Sequence, residues 1–323
     1  MRLPLEIYRP LVAAGLVKEL PTSRLYLLDH LPFLGAGRRL PAARIAANVF
    51  TVGDTAFVVR ETDEAGLVAA RRAKRVAWIV DDHYGEGAAS ADLPEAYRRR
   101  LADLHTRFEP AMLAIVDTVL ASCDGLAEVY RRQGIADVRV VHPFYPAALA
   151  RRAEATGEVS VGILQTRSHL ADLRSIVPQL AEVLTADPAV RIVHCLAGTD
   201  TGLGEGGRIE ALKPMSWRAY LRWDRPLALG LYPLLDTGFN RYRSLNKVFE
   251  YVARGAVPLV ADVAAMAAVP GEYRVAASGW RDRILELAQD GAERRRLVER
   301  ARDWIAAERF AETTRAVLAD LVG

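Results

Sequence analysis

The stretch Asp236–Asp262, DTGFNRYRSLNKVFEYVARGAVPLVAD, runs from a turn through an amphipathic segment into an apolar strand. Gly238 and Asn240 make the turn and Ser244 is the expected N-cap. The helix should then run to about Arg254, where Gly255 supplies the left-handed stop before the strand VPLVA. A helix that starts straight from a loop presents unpaired N–H groups and the positive end of its dipole. Arg241, Arg243 and Lys247 add full charges at the same place, which makes a cradle for phosphate or diphosphate. Lys247 lies three residues from both Ser244 and Glu250, so all three share one helix face. A carboxylate one turn deeper than a phosphate site suits the two hydroxyls of a ribose, because it accepts paired hydrogen bonds. A plain surface salt bridge between Lys247 and Glu250 has the same spacing.

Outward from this stretch, short apolar strands alternate with helical segments. In the second half the strands are SVGILQ (160–165), RIVHCLA (191–197), a weak one near 209–212, PLALGLYP (226–233) and YRVAA (273–277). Helices are expected over 168–185, 216–222, 278–289, 291–308 and 310–321. In the first half the strands are LYLLD (25–29), AFVVR (56–60), VAWIVDD (76–82), TVLAS (118–122) and VRVVHPF (138–144). Helices are expected there over 41–48, 62–74, 103–119 and 124–133. Alternating strands and helices predict parallel sheets covered on both faces, in two units, 1–150 and 151–303, with a polar linker over 146–158 and a closing helix over 304–323. Such sheets bind ligands outside the carboxyl ends of their strands, so the cleft between the units is the expected site.

The residues Phe239, Asn240, Arg243 and Ser244, with Lys247, Glu250, Tyr251, Gly255, Pro258, Val260 and Ala261, resemble the nucleotide-sugar site of family-4 type GT-B glycosyltransferases. The F-N-x-x-R/K-S loop resembles that of the polysaccharide and O-antigen enzymes in particular. The resemblance implies an α/β fold of two Rossmann-like doubly wound domains facing across a cleft, with the last helix crossing back to the first. It implies sugar transfer, with retention and without a metal or cofactor, from a nucleoside diphosphate sugar to a glycan or lipid-linked acceptor. Lys247 and the loop Phe239–Leu245 would hold the diphosphate and Glu250 the ribose. Gly35, in the run Asp29–Gly37, stands where many such enzymes carry a Gly-Gly loop against the donor. One departure is that Tyr242 occupies the place of the first acid in their E-x7-E motif.

Two further groups complete the expected site. Asp81, Asp82 and His83 end a first-half strand, where Asp81 or Asp82 would orient the acceptor hydroxyl and His83 would donate to the sugar or the departing phosphate. The alternative is that such a residue caps a helix or closes a turn. Arg167, between Thr166 and Ser168 at a helix start, would clamp the diphosphate together with Lys247, unless it pairs with a neighbouring acid such as Asp172. Gly202-Leu-Gly-Glu-Gly-Gly207 matches G-x-G-x-x-G literally but is followed by no long helix, which argues against a dinucleotide fingerprint and a dehydrogenase.

Charge is nearly balanced, with 43 Lys and Arg against 40 Asp and Glu, so nucleic acid is not an expected partner. The clusters Arg71, Arg72, Lys74, Arg75 and Arg98–Arg100 are solvated faces, or peripheral contacts with anionic headgroups at the inner face of a membrane. Cys123 and Cys195 carry no metal-ligand spacing and suit a reducing cytoplasm. Pro4 and Pro10 break the N-terminus before any signal-like core, and no run is long enough to span a bilayer. A non-hydrolysing nucleotide-sugar epimerase and a non-catalytic nucleotide-sugar-binding partner in glycan assembly are the alternative readings.

Overall fold

In the computed structural model, which describes residues 2–34, 40–145, 157–204 and 206–323, the apolar runs assemble into two sheets. The first contains β1 (Leu3–Pro4), β2 (Ala42–Ala46), β3 (Val49–Val52), β4 (Thr55–Val59), β5 (Arg75–Val80), β6 (Thr118–Ala121) and β7 (Val138–Val140), in simple chain order. Strands β4 to β7 are parallel, whereas β1 to β4 pair antiparallel. The second contains β8 (Val159–Ile163), β9 (Val190–His194), β10 (Ile209–Ala211), β11 (Leu229–Tyr232), β12 (Val257–Ala261) and β13 (Arg274–Val275). These strands are all parallel, in the order β10-β9-β8-β11-β12-β13. Chain order reverses between β8 and β11, and the loops leaving these two strands open a crevice there.

Every residue of β11 and β12 is buried, as expected for strands with helices on both faces. The helix Asn246–Ala253 is pinned onto this sheet by Tyr251. Its hydroxyl accepts from Leu164 N at 2.9 Å and donates to Leu231 O at 2.9 Å. Gly230 in β11 lets the helix lie that close, since a Cβ there would stand 2.1 Å from the Tyr251 ring. Gly255 closes the helix with φ 77°, the left-handed stop expected for it.

Three expectations for the first half are corrected. Leu25–Asp29 is not a strand: Pro21–Ser23 and Arg24–Leu28 form a helical stretch with Pro21 in its first turn. Leu25 to Leu28 are all buried, so the run has no polar face and its period does not separate helix from strand. Residues 41–48 are not a helix but carry β2, which turns at Asn48 (φ 55°) into β3. This hairpin supplies the antiparallel half of the first sheet. The helix expected over 103–119 begins earlier and ends earlier, as Glu95–Asp103, Leu104–Phe108 and Glu109–Leu113 in succession, before β6. The G-x-G-x-x-G loop joins β9 to β10, with Gly202 and Gly204 at φ 81° and 77°. Gly35 and most of the expected linker lie outside the described residues.

The last helix, Phe310–Val322, lies against the first sheet. Thr314 Oγ1 accepts from His142 N at 2.7 Å, Arg139 pairs with Asp320 at 2.6 Å, and Thr55 donates to the carbonyl of Leu321. His30, fully buried, packs at a tilt against Phe144 at 5.5 Å, and the Arg315 guanidinium covers the Phe33 and Phe144 rings at 3.8 and 4.9 Å. The His30 nitrogens face main chain at Leu25 and His142 without hydrogen-bond geometry. Burial, with the Arg315 charge adding to it, pushes the His30 pKa down to about 4. As pH falls, the unfolded chain therefore takes up this proton first. The His30 contribution is complete above about pH 6.5 and is lost progressively down to about pH 4. His30→Leu should accordingly lose less stability than wild type across that window, by on the order of 3 kcal/mol. Urea titrations at about pH 7, 5.5 and 4 read the difference, and parallel pH profiles for the two proteins would refute it.

Candidate active site

The carboxyl ends of β4, β5, β8, β9 and β11 border a cleft of about 590 Å³ between the two sheets. Its lining includes Asp81, Asp82, Arg243, Ser244, Lys247 and Glu250, drawn together from both halves of the chain. No cluster of three His, Cys, Asp or Glu among the described residues is arranged to hold a metal ion, and no described helix is long and apolar enough to cross a membrane.

The helix Asn246–Ala253 points its N-terminus into this cleft. Ser244 is one residue too early to be its cap: Leu245 holds the N-cap position and its buried side chain joins the core. Ser244 Oγ instead accepts from the Tyr26 hydroxyl at 3.2 Å, across from the other half of the molecule. Lys247 Nζ lies 2.6 Å from Glu250 Oε2, and Glu250 also takes the Tyr220 hydroxyl and Arg254 Nε at 3.2 Å. The Lys–Glu pair is thus no surface bridge, because the Glu250 side chain is 1 % exposed. Burial opposes ionisation of Glu250, but Lys247 and Arg254 outweigh it and hold its pKa below the usual carboxylate value.

On the opposite wall, Asp82 is the centre of a buried charge network. Arg243 Nη1 reaches Asp82 Oδ1 at 2.9 Å, Arg60 Nη2 reaches Oδ2 at 2.9 Å, and the Tyr97 hydroxyl donates to Oδ2 at 3.1 Å. Arg243 still has Nη2 buried without an acceptor, although its Nε donates to Asn240 at 3.3 Å and its charge rests 4.1 Å over the Phe239 ring. Asp81 accepts from Thr22 at 2.8 Å, and its second oxygen stands 3.2 Å from Arg60 Nε out of hydrogen-bond alignment. Burial raises the Asp81 pKa despite the pull of Arg60.

Other expected residues fall elsewhere. His83 does not line the cleft: its Nδ1 accepts from Glu86 N at 3.2 Å as the cap of the helix Tyr84–Ala89, and its ring packs on Tyr242 at 4.5 Å. Arg167 is exposed on the short turn Arg167–His169, while its neighbours Thr166 and Ser168 line the cleft. Phe239 is buried in the first half's core, against the helix at Gly87. Asn240 is also buried and donates to Asp172 Oδ1 at 2.8 Å.

Asp172 does not pair with Arg167. It organises the loop by accepting from Leu235 N at 2.8 Å as well, while its other oxygen meets His169 Nδ1 at 2.8 Å. Burial lowers the His169 pKa, so a neutral ring lines the cleft. Sequence reasoning passed over Tyr26, Arg60, Tyr97, Tyr220 and Arg254. Arg254 alone carried a signal, since it lies four residues after Glu250 on the same face.

No protein-family model matches the chain, and no curated protein matches it. Solved structures do. The UDP-forming α,α-trehalose-phosphate synthase from Burkholderia vietnamiensis superposes with a TM-score of 0.55 at 16 % identity, over 82 % of this chain and 71 % of that one. TarM superposes with a TM-score of 0.53 at 12 % identity, over 79 % of this chain and 51 % of its own. The chain has the GT-B fold. At these identities the likeness is one of backbone architecture. It makes the cleft between the two sheets the GT-B interdomain cleft, with the doubly wound second sheet on one side and the mixed first sheet on the other.

Proposed function

We propose that this GT-B chain is a glycosyltransferase that moves a sugar, with retention and without a metal, from a nucleoside diphosphate sugar to a hydroxyl of a glycan or lipid-linked acceptor. The observation that carries the reading is the set of cationic and N–H groups that line one cleft. Lys247, Arg243 and the N-terminus of the helix Asn246–Ala253 all border it and suit a diphosphate, with Glu250 one turn deeper for the ribose. Arg167, at the rim, is the further cation that meets the phosphates from the β8 loop. TarM has also been solved with UDP, a nucleoside diphosphate of the kind this cleft suits.

In this reading the acceptor oxygen attacks the anomeric carbon from the face on which the diphosphate leaves. The bond from that carbon to the phosphate oxygen breaks, and the acceptor proton passes to the departing phosphate. Lys247 and Arg243 stabilise the charge that develops there. Asp81 holds the acceptor hydroxyl: its Oδ1, although 3.2 Å from Arg60 Nε, accepts no hydrogen bond, whereas both oxygens of Asp82 accept from arginine. His83 serves as a helix cap. Residues 1–150 take the acceptor, 151–303 the donor, and 304–323 belong with the first unit. The free thiols of Cys123 and Cys195 fit a cytoplasmic enzyme, peripheral at the inner membrane face if its acceptor is lipid-linked.

A thermal-shift series with UDP, GDP, dTDP, CMP and ADP, with magnesium or chelator, tests the donor site. One nucleoside diphosphate should stabilise the protein by about 2.7 kcal/mol at a hundred times its Kd, equally with chelator, and Glu250→Gln should weaken the effect. Absence of any nucleotide effect would overturn the reading. Stabilisation without sugar transfer to any acceptor would leave a binding protein.

A further inference from the structure

A second groove, of about 640 Å³, opens beside the cleft between the N-terminal helix Leu5–Ala13, with the turn after it, and the helix Trp217–Arg222 from the other half. Arg218 Nη1 donates to Ala13 O at 2.8 Å and ties the two sides together. The groove and the cleft share Glu19, Leu20 and Trp217 as a common wall. Two polar atoms of that wall are buried without a hydrogen-bond partner: Oε1 of Glu19 and the indole Nε1 of Trp217. The Glu19 side chain is 4 % exposed; its carboxylate neighbours the Tyr8 hydroxyl, and its second oxygen is 3.8 Å from Arg24 Nε, beyond hydrogen-bond reach, so Oε1 is the atom left free. Arg24 is itself taken up by Asp29 at 2.9 Å. A buried acceptor left without a donor costs about 1–3 kcal/mol, and more when charged. A carboxylate and an indole N–H that line the same junction of two cavities suit a ligand with sugar hydroxyls, which donate to the one and accept from the other.

The charge of the groove narrows the ligand. Its lining carries Arg9, Lys18, Arg24 and Arg218 against Glu19 as the one acid among the described residues. The hydrogen bonds of Arg9 and Arg218 go to the main-chain carbonyls of Leu28 and Ala13; the Arg9 charge is shared with Asp29 and Glu19, so the excess rests chiefly on Arg218 and Lys18. Lys18 is exposed at the rim. A neutral glycan gains nothing from this excess of positive charge, whereas a phosphate does.

We propose that this groove is the acceptor site, that Glu19 and Trp217 hold an acceptor hydroxyl where it meets the cleft, and that the acceptor carries a phosphate group met by Lys18, Arg9 and Arg218. The inference rests on reading the cleft as a nucleotide-sugar site. Glucose 1-phosphate and glucose are suitable probes, read by the indole N–H resonances of the 15N-labelled protein. The chain has five tryptophans, and Trp217→Phe assigns the relevant signal. Glucose 1-phosphate should shift the Trp217 resonance with an apparent Kd at least about tenfold below that of glucose. Glu19→Gln should raise both constants about tenfold, the loss of one charged hydrogen bond, and Lys18→Gln should reduce only the phosphate preference.

Equal responses to the two sugars would overturn the phosphate assignment. No Trp217 response while a nucleoside diphosphate still binds would overturn the acceptor groove and leave the donor site standing; loss of nucleotide binding in wild type would instead remove the reading beneath it. Phosphatidylglycerol and phosphatidylcholine vesicles distinguish the source of the phosphate. A response to phosphatidylglycerol alone, with none to glucose 1-phosphate, would overturn the sugar site in favour of a lipid surface.

Discussion

Replacing Lys247 by alanine is expected to lower turnover about 10²- to 10³-fold while leaving the protein folded. Removing one donor from a site where charge develops in the transition state has an effect of that size, about 2.7–4 kcal/mol. The fold survives because Glu250, the buried partner of Lys247, keeps Arg254 at 3.2 Å and the Tyr220 hydroxyl. No buried carboxylate is left unpaired, so the thermal midpoint should move by only a few degrees. The informative measurement is kcat at saturating donor beside the melting curve. A kcat within tenfold of wild type would take Lys247 out of the chemistry and return its pair with Glu250 to a packing role.

Asp82→Ala should do the reverse and strike stability first. Asp82 is 5 % exposed and is the acid between two half-buried arginines, Arg60 and Arg243, with Tyr97 bonded to it as well. Removing one member of a buried ion pair leaves the others charged and desolvated, at about 3–5 kcal/mol. Arg60 retains Asp81 nearby, but Arg243 loses its ion-pair partner and keeps only the Phe239 face and the Asn240 oxygen. Asp82→Asn preserves the shape and one acceptor, and should cost less. Urea unfolding followed by circular dichroism distinguishes these outcomes. A loss below about 1 kcal/mol for the alanine variant would mean that water reaches Arg243 and that the network is worth little.

These two residues also mark how far the sequence could be read. Lys247 and Glu250 were legible as a pair because helix geometry fixes what lies three residues away. Their environment was legible only in part: Arg254 lies four residues after Glu250 on the same face, whereas the Tyr220 contact comes from a separate helix and exists only once the second half is packed. The charge network around Asp82 was hidden for the same reason: Arg243 is 161 residues away along the chain. His83 had two readings at a strand end, and its Nδ1 settled on the helix cap.

The second sheet was legible strand by strand, because buried parallel strands leave short continuous apolar runs bounded by turns. The first sheet was less so. Leu25–Leu28 is apolar on every side, which suits helix and strand alike, and β2 with its small and half-buried residues lacks the alternation that would have announced a hairpin. The likeness of the Phe239–Ser244 loop to a donor-binding motif suggested ligand contacts for each residue, whereas Phe239 and Asn240 face protein.

Phe239 leaves the second half of the chain and ends in the first half's core, with Cys123 Sγ against Tyr242 O at 3.4 Å and Arg243 on Asp82 beside it. The Phe239–Ser244 loop is therefore latched to the opposite lobe. Any wide gaping of the cleft must draw the Phe239 ring into water, at about 1.5–3 kcal/mol before the ion pair is counted. The gaped state is then outnumbered by roughly ten- to a hundredfold on that account alone. On the reading proposed above, an incoming nucleotide would meet a cleft that is already shaped and would give up little of its binding free energy to closure.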